Sequence, residues 1–418
     1  MNHVIGFKCS ICGAEYAPGQ VEYVCPEHGD AGNLDTVYDY KAIARQTSPS
    51  QLSNQHTSAS LNLFRYRALL PIDSDSPGLP LQIGWTPLYR APRLEAKLGV
   101  REVWIKDDGR NPTASFKDRA SSIVVARAME DKRELVTTAS SGNAGAALAG
   151  MAASVKLPTV IFVPQTAPQA KVAQLLIFGA TVFLVKGNYD AAFDVCLSAS
   201  KAFGWYCRNT GYNPFTVEGK KTASLEICEQ LDWKTPDRIF VSVGDGNILS
   251  GLHKGLADLI ELGWIDAMPK LMGAQAEDSV ACLQAWQAGS DDVTPVAAKT
   301  IADSINVDLP RDGRRAIRAV RQTDGAFVHV SDADILAAMR ELAMEVGVFA
   351  EPAAAASYAA LVNAVRAGQV RSDERVVVVI TGSGLKDVPS AIQAAPSAHI
   401  IEPNLDAVRQ ALQRHSRT

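Results

Sequence analysis

The sequence predicts an α/β fold in which two open, twisted, mostly parallel sheets carry helices on their faces. The first observation is an alternation of strand and helix patterns between residues 134 and 215. The second is a similar alternation that resumes near residue 238 and continues to about 380. Parallel strands need long crossover connections, usually helices, so this order favours parallel sheets. The third is a cysteine-containing segment at 1–35, which predicts a small separate module.

Runs of β-branched and aromatic residues mark the strands, and apolar residues at helical spacing mark the helices between them. In the first set we expect strands at 135–139, 158–163 and 181–185, and helices ending near 155, at 169–178 and at 189–203. In the second set we expect strands at 238–243, near 271–273 and at 376–380, with a helix from Leu249. A strand at 101–106 precedes both sets.

The domain organisation follows from these patterns. Residues 46–60 are rich in Ser, Thr, Asn and Gln, which is typical of a linker or surface arm. We therefore expect a zinc-ribbon-like module at 1–35, a linker or arm at 36–75, a large domain at 76–133 and 216–400, a small α/β domain at 134–215, and a C-terminal tail at 401–418.

Composition excludes several classes of function. The 418 residues are 47% hydrophobic and carry a net charge of -4, which is ordinary for a soluble globular protein. Nucleic acid is not an expected partner, because there is no basic block. A membrane is not expected either, since no apolar run reaches spanning length. No signal peptide is recognised, and the seven cysteines are odd in number. These two features predict reduced thiols in the cytoplasm.

Four potential metal ligands lie in the first 28 residues. Cys9, Cys12, Cys25 and His28 have the spacing C-x2-C-x12-C-x2-H, which suits two knuckles around one tetrahedral zinc. A zinc with four protein ligands is structural, because no coordination position is left open. The alternative is a degenerate ribbon whose thiols only pack together.

The stretch at 111–119, Asn-Pro-Thr-Ala-Ser-Phe-Lys-Asp-Arg, presents one lysine at a predicted helix start. Burial and the positive end of the helix dipole can deprotonate a lysine at such a position. A neutral amine is the form that attacks a carbonyl to give a Schiff base. Lys117 is therefore a candidate nucleophile; the alternative is that Lys117, Asp118 and Arg119 form a solvated helix start.

Three further loops follow predicted strands. The loop at 140–145, Ser-Ser-Gly-Asn-Ala-Gly, opens a helix and predicts an anion site, although an N-cap with small-residue packing is the alternative. The loop at 243–248, Val-Gly-Asp-Gly-Asn-Ile, has the glycines that let a backbone wrap a phosphate, but it is not a Walker A motif. The loop at 381–387 reads Thr-Gly-Ser-Gly-Leu-Lys-Asp.

Taken in order, these stretches resemble the threonine synthases, which are fold-type II enzymes (tryptophan synthase β-like) that use pyridoxal 5'-phosphate. The lysine loop resembles the family's N-P-T-G-S-F-K-D-R-G, with Ala114 and Ala120 in place of glycines, and 381–387 resembles T-G-x-G-L-K-D. The resemblance implies that Lys117 carries the cofactor as a Schiff base. It assigns the rest of the cofactor site to Asn143, Gly244, Asp245, Gly246, Asn247, Ile248 and Thr381. It assigns the substrate to Thr113, Ser115, Ser140, Ser141, Gly142 and Glu351.

The implied reaction is elimination of phosphate from the γ-carbon of O-phospho-L-homoserine and addition of water at the β-carbon to give L-threonine, by a homodimer. One departure concerns the substrate: Thr216 stands where the family has an arginine associated with the substrate phosphate, while Lys220 replaces a glutamine. An arginine fork suits phosphate and threonine does not. Two alternatives therefore stay open. One is a β-elimination or β-replacement enzyme acting on serine, phosphoserine or threonine, and the other is a zinc-ribbon interaction protein on an inactive scaffold.

Overall fold

The computed structural model describes residues 1–54, 57 and 60–415 and contains three sheets. The smallest belongs to the N-terminal module and is antiparallel, with strand order β2-β1-β3. Its strands are β1 (Val4–Cys9), β2 (Glu15–Tyr16) and β3 (Leu34–Tyr38). The two metal knuckles lie in the turns beside these strands, and Gly13 and Gly29 adopt positive φ angles of 73° and 52° there.

The largest sheet has six strands and lies at the centre of the molecule. In spatial order they are β12 (Ala326–Val330), β11 (Lys270–Ala276), β10 (Arg238–Ser242), β13 (Arg375–Ile380), β5 (Glu102–Asp107) and β4 (Leu88–Arg90). All neighbours are parallel except β4 and β5. The central strand β13 is buried from Val376 to Ile380, as expected for a strand covered on both faces.

The third sheet has four parallel strands. In spatial order they are β8 (Thr181–Val185), β7 (Thr159–Pro164), β6 (Val136–Ala139) and β9 (Tyr206–Cys207). The predicted α/β fold with two mostly parallel sheets is confirmed, and the predicted strands coincide with observed ones to within a few residues. The short strand β9 was not predicted, since two residues give no periodic pattern.

Sixteen helices cover the sheets within the described residues. They are α1 (Tyr40–Gln46), α2 (Pro49–Ser53), α3 (Pro92–Leu98), α4 (Lys117–Glu130), α5 (Asn143–Ser154), α6 (Gln169–Ile177), α7 (Tyr189–Phe203), α8 (Phe215–Lys220), α9 (Thr222–Gln230), α10 (Asn247–Glu261), α11 (Ala281–Gln287), α12 (Gly313–Gln322), α13 (Asp332–Val346), α14 (Pro352–Arg366), α15 (Val388–Ala394) and α16 (Leu405–His415). None of the helices in this described part is long and apolar enough to cross a membrane.

Regular structure extends into the segment expected to be a linker. Asp39 caps α1 by accepting a hydrogen bond from the Ala42 amide, and the Tyr40 hydroxyl donates to Asp258 at 2.7 Å. Within the polar stretch 46–60, α2 is helical, whereas residues 55, 56, 58 and 59 lie outside the described residues. The expected tail carries α16, and residues 416–418 lie outside the described residues. The proposed domain boundaries stay a prediction.

The parallel arrangement brings distant loops together. Strands β5, β10 and β13 run side by side in the same direction, so their carboxyl ends meet at one edge of the large sheet. The lysine loop follows β5, the glycine loop at 243–248 follows β10, and the loop at 381–387 follows β13. The topology therefore gathers three of the four predicted functional loops at one place.

Candidate active site and metal centre

Backbone hydrogen bonds join the lysine loop to the loop after β13. The Phe116 amide donates to the Thr381 carbonyl at 2.9 Å, and the Ser383 amide donates to the Ala114 carbonyl at 3.1 Å. Ala114 has a φ of 60°, the left-handed region in which glycine is preferred. This turn ends at Phe116 and α4 begins at Lys117, so Lys117 and Thr381 are held on the same side of the sheet edge.

Lys117 extends into a cavity of about 430 Å³ that is also lined by Thr381, Lys220 and residues 244–248. Its amine has no hydrogen-bond partner among the described residues. Burial lowers the pKa of Lys117 and the nearby Arg208 lowers it further, while Glu351 and Asp245 act in the opposite direction. The lysine is therefore shifted towards the neutral form that forms a Schiff base.

The expectation of a solvated helix start at 117–119 is wrong. Asp118 and Arg119 are both fully buried. Asp118 accepts hydrogen bonds from the amide and hydroxyl of Thr113, and Arg119 forms ion pairs with Asp108 and Glu226. These contacts fix the first turn of α4, which carries Lys117.

The glycine loop closes the other end of the cavity. Strand β10 ends at Ser242, and Gly246 precedes α10 with a φ of 89°. A Cβ at Gly244 would lie 2.9 Å from the Ile305 Cα, and one at Gly246 would lie 2.8 Å from the Asp312 carbonyl oxygen. Only glycine fits at these two positions. The first amides of α10 point along the helix towards its N-terminus, which is a suitable site for a phosphate.

Asp245 places a carboxyl group in the loop that is expected to hold a phosphate. Its carboxylate accepts a hydrogen bond from the Arg311 amide at 3.3 Å. Burial raises the pKa of Asp245, although Lys220 and Lys117 oppose this rise. Asp245 therefore carries less negative charge beside a phosphate than an exposed aspartate would.

The loop before α5 lines a second cavity of about 420 Å³, together with Glu351. The Asn143 side chain donates to both carboxylate oxygens of Glu351, at 2.9 and 3.0 Å. Ser141 and Gly142 line the same cavity, and Ser140 accepts from the Gly142 amide at 3.2 Å. Burial raises the pKa of Glu351, against the effect of Asn143. Asn143 and Glu351 thus belong to one hydrogen-bonded pair.

The two hydroxyl residues of the lysine loop have different surroundings. The Thr113 hydroxyl donates to Asp118. Ser115 is fully buried, and its hydroxyl has no hydrogen-bond partner among the described residues. A buried hydroxyl without a partner costs free energy, so Ser115 is better suited than Thr113 to bind a ligand. The roles of both residues in substrate binding stay predictions.

Several residues at the two cavities had no predicted role. Thr210 and Ser304 line the Lys117 cavity, and Lys171 and Lys386 line the cavity at Glu351. Lys386 lies in the loop at 381–387, whereas Thr210 lies in none of the loops that the sequence singles out. Lys171, on α6, and Ser304, in an irregular segment, carry no local sequence signal, because only the folded chain brings them to the site.

Thr216 does not line either cavity. It is fully buried in α8, and its hydroxyl donates to the Asn213 carbonyl at 2.8 Å. The basic side chains nearby are Lys220, which lines the Lys117 cavity, and Arg208, whose guanidinium donates to Thr210 at 2.7 Å. The Arg208 Nη2 atom has no partner among the described residues. Burial lowers the pKa of Lys220, and Lys117 and Arg208 lower it further. Two buried basic side chains thus lie beside the cavity although the arginine expected at 216 is missing.

The four predicted zinc ligands converge. The ligand atoms of Cys9, Cys12, Cys25 and His28 lie within 4.8 Å of one another. The His28 Nδ1 is 3.9 Å from the Cys9 Sγ and 3.6 Å from the Cys25 Sγ, and the Cys12 and Cys25 Sγ atoms are 4.0 Å apart. A tetrahedral zinc with bonds of about 2.0–2.3 Å separates its ligands by about 3.5–3.8 Å. The cluster therefore fits a zinc ion.

Comparison with known proteins places this geometry in a family. Residues 79–382 match the family model described as pyridoxal-phosphate dependent enzyme. The chain is 37% identical over 407 residues to the threonine synthase of Methanosarcina acetivorans, with 97% of this chain and 98% of the relative covered. It is 36% identical over 407 residues to the threonine synthase of Methanocaldococcus jannaschii, again covering 97% and 98%.

A solved structure confirms the fold alone. Maize serine racemase superposes with a TM-score of 0.63 at 22% identity, covering 79% of this chain and 93% of that one. The similarity to these two threonine synthases covers 97% of the chain. The chain belongs to the pyridoxal-phosphate dependent enzymes and, within them, to the threonine synthase family.

Proposed function

We propose that the protein is a pyridoxal-phosphate-dependent threonine synthase, a lyase that converts O-phospho-L-homoserine and water into L-threonine and phosphate. The observation that carries the proposal is the unpaired amine of Lys117. It lies in a cavity bounded by the glycine loop and Thr381, in a chain with full-length similarity to threonine synthases. Membership of the threonine synthase family supports the assigned reaction, and the residues that line the cavity support binding of pyridoxal phosphate.

The residues at the cavity fit pyridoxal phosphate. The glycine loop from Gly244 to Ile248 would hold the phosphate at the N-terminus of α10, and Lys117 would hold the aldehyde carbon. The neutral hydroxyl of Thr381 would form a hydrogen bond with the ring nitrogen, and the Asn143 side chain would form one with the ring oxygen. The cofactor, when bound, supplies an electron sink for negative charge at the substrate Cα.

Lys117 is the residue best suited to move protons in this site. Its lowered pKa favours the neutral amine, which would take the proton from the substrate Cα. Ser140, Ser141 and Gly142, at the start of α5, would bind the substrate carboxylate through hydroxyl and amide donors. Glu351 and Asn143 would hold each other in place beside the reacting carbons.

The substrate phosphate needs positively charged partners, and the chain offers two basic side chains that are not at the expected position. Lys220 and Arg208 lie around the Lys117 cavity, with Thr210 bonded to Arg208. A buried cation binds a phosphate dianion more strongly than a neutral hydroxyl does. We assign them as the residues that compensate for Thr216.

A substrate comparison tests the proposal. The purified enzyme loaded with pyridoxal phosphate is given O-phospho-L-homoserine or O-phospho-L-serine, and phosphate and threonine are both measured. We expect equal amounts of phosphate and threonine from the first substrate and little turnover of the second. Phosphate release from O-phosphoserine without threonine formation would instead support the β-elimination or β-replacement enzyme, which the missing arginine at 216 favours.

The N-terminal module is proposed to bind one structural zinc. The fit of the four ligand atoms to a tetrahedral ion supports this, and the Tyr16 hydroxyl, 3.1 Å from the Cys25 Sγ, adds a hydrogen bond to one ligand. Metal analysis should give about one zinc per chain, and Cys9→Ser should lower that content, because structural zinc requires all four ligands. A wild-type protein purified without chelator that contains no zinc would contradict the assignment.

Location and assembly are part of the proposal. None of the seven cysteines forms a disulfide, which supports a reducing compartment such as the cytoplasm. We also propose a homodimer, on the basis of the family resemblance. Light scattering during size-exclusion chromatography measures the mass directly, and the mass of one chain would contradict the homodimer.

A further inference from the structure

The metal knuckles hold a buried asparagine at the inner face of the N-terminal module. The Asn33 carbonyl accepts a hydrogen bond from the Ser10 amide at 2.9 Å, within the first knuckle. The neighbouring Gly32 accepts from the Cys25 amide at 2.8 Å, and a Cβ there would lie 2.8 Å from the Cys25 Cβ. The position of Asn33 is therefore determined by both knuckles.

From Asn33 the contacts continue into the body of the protein. The Asn33 Nδ2 donates to the Asp312 Oδ1 at 3.1 Å and to the Arg311 carbonyl at 3.0 Å. Arg315 adds a second link, since it donates to the same Asp312 oxygen at 2.5 Å and to Asp35 at 2.8 Å. One carboxylate oxygen of Asp312 is thus shared between the module and the start of α12.

The other oxygen of Asp312 faces the glycine loop. The Asn247 Nδ2 donates to the Asp312 Oδ2 at 2.7 Å, and the Asp312 amide donates to the Asp245 carbonyl at 2.8 Å. The Asn247 Oδ1 in turn accepts from the Lys220 Nζ. Asn33, Asp312, Asn247 and Lys220 are each at least 95% buried, so water does not compete freely for these bonds.

We propose that the N-terminal module positions the cofactor-phosphate loop through this chain, from Asn33 to Asp312 to Asn247 to Lys220. The inference rests on the proposed function, because it takes the glycine loop as the phosphate site. Asn33 orients the Asp312 carboxylate, which fixes the amide of Asn247 so that its oxygen accepts from Lys220. The amine of Lys220 is thereby held in the cavity at the first turn of α10. Asn33 and Asp312 are positioning residues and touch no substrate.

The first test measures cofactor binding. For Asn33→Ala we expect the Kd for pyridoxal phosphate to rise about tenfold, the effect of losing one hydrogen bond to a charged group. The phosphorus-31 NMR signal of the bound cofactor should shift, because the surroundings of the phosphate change. The control is Arg318→Met, which removes another contact between module and body, at the Ser10 carbonyl, without touching Asp312. The control should keep the wild-type Kd and NMR signal.

An exchange of the two side chains separates positioning from general damage. Asn33→Asp alone places two carboxylates against each other and should weaken cofactor binding more than Asn33→Ala does. Combining it with Asp312→Asn removes one of the two facing carboxylates and restores one donor–acceptor pair between positions 33 and 312, but not the bonds to Arg315 and the Arg311 carbonyl. The double variant should therefore bind the cofactor more tightly than Asn33→Asp alone, without reaching the wild-type Kd.

Three outcomes are decisive. Tighter binding in the double variant than in Asn33→Asp supports the proposal. A wild-type Kd and phosphorus signal in both single variants at Asn33 would overturn it. An equal rise of the Kd in Arg318→Met would also overturn it, because the module would then stabilise the body without acting through Asn33 and Asp312. A wild-type protein that binds no pyridoxal phosphate would instead overturn the proposed function.

Discussion

Two lysines that are eleven positions apart show how the same side chain is used for structure and for chemistry. Lys106, in β5, donates to the Thr86 carbonyl at 2.7 Å, to Glu226 at 2.8 Å and to Gln230 at 2.8 Å. Lys117, at the start of α4, has no hydrogen-bond partner among the described residues. Burial lowers the pKa of both amines. The pKa shift therefore does not distinguish them, whereas the hydrogen-bond partners do.

The hydrogen-bonded network around Lys106 supports the loop that presents Lys117. Lys106 and Arg119 share the carboxylate of Glu226, and Arg119 also binds Asp108, which precedes the lysine loop. These four charges are fully buried, and a buried charge is tolerated only when its partners are complete. The network anchors both ends of the loop that presents Lys117. The amine of Lys117 is thereby held at the cavity, where a ligand can reach it.

The largest effect is expected when the unpaired amine is replaced. Lys117→Arg keeps a cation but removes the primary amine, so turnover of O-phospho-L-homoserine should fall at least about 10⁴-fold, the upper range for loss of a general base. The ultraviolet–visible absorbance of covalently bound cofactor should disappear. The matched control is Lys106→Met, which should keep that absorbance while it lowers the free energy of unfolding. Equal absorbance in the wild type and Lys117→Arg would contradict the role of Lys117.

The contribution of the buried ion-pair network to stability is tested by Arg119→Met. Removal of the guanidinium leaves Asp108 and part of Glu226 buried without a counter-charge, so the free energy of unfolding should fall by about 3–5 kcal/mol. Lys8→Met serves as the control, because Lys8 forms an exposed ion pair with Glu15 and such pairs contribute little. Chemical denaturation measures both variants. A loss below about 1 kcal/mol in Arg119→Met would show that the network is not needed for stability.

The sequence was sufficient for the fold class, the order of strands and helices, and the positions of the key loops. Strongly periodic stretches such as 189–203 coincide with a helix, and the four metal ligands converge because they lie within 20 residues of one another. Contacts between distant segments were not predictable. Nothing near Asp118 or Arg119 in the chain indicates burial, since Glu226 lies more than a hundred positions away. The short helices α1 and α2 within the expected linker were not predicted, because polar composition gives no periodic apolar pattern.

A smaller effect on stability is expected at Asp118, which lies between Lys117 and Arg119 in the sequence. Burial raises the pKa of Asp118 to about 6, although its hydrogen bonds with Thr113 oppose the rise. A carboxyl with a raised pKa in the folded state stabilises the fold below its unfolded pKa of about 4, and this contribution is lost as the pH rises through about 6. Asp118→Asn should remove this dependence. The difference in unfolding free energy between the two proteins should therefore change by up to about 3 kcal/mol between pH 4 and pH 7, and a constant difference would contradict the raised pKa.

The smallest effects come from two alanines that stand where the family has glycine. Ala114 has a φ of 60°, which costs an L-residue about 1–2 kcal/mol, and this exceeds the entropy that glycine loses on folding. Ala114→Gly should therefore raise the free energy of unfolding by about 0.5 kcal/mol. Ala120, within α4, has helical geometry, and Ala120→Gly should lower it by about 1 kcal/mol. Chemical denaturation of the two variants side by side distinguishes the strained turn that presents Lys117 from the regular helix that follows it, and changes of the same sign would contradict this distinction.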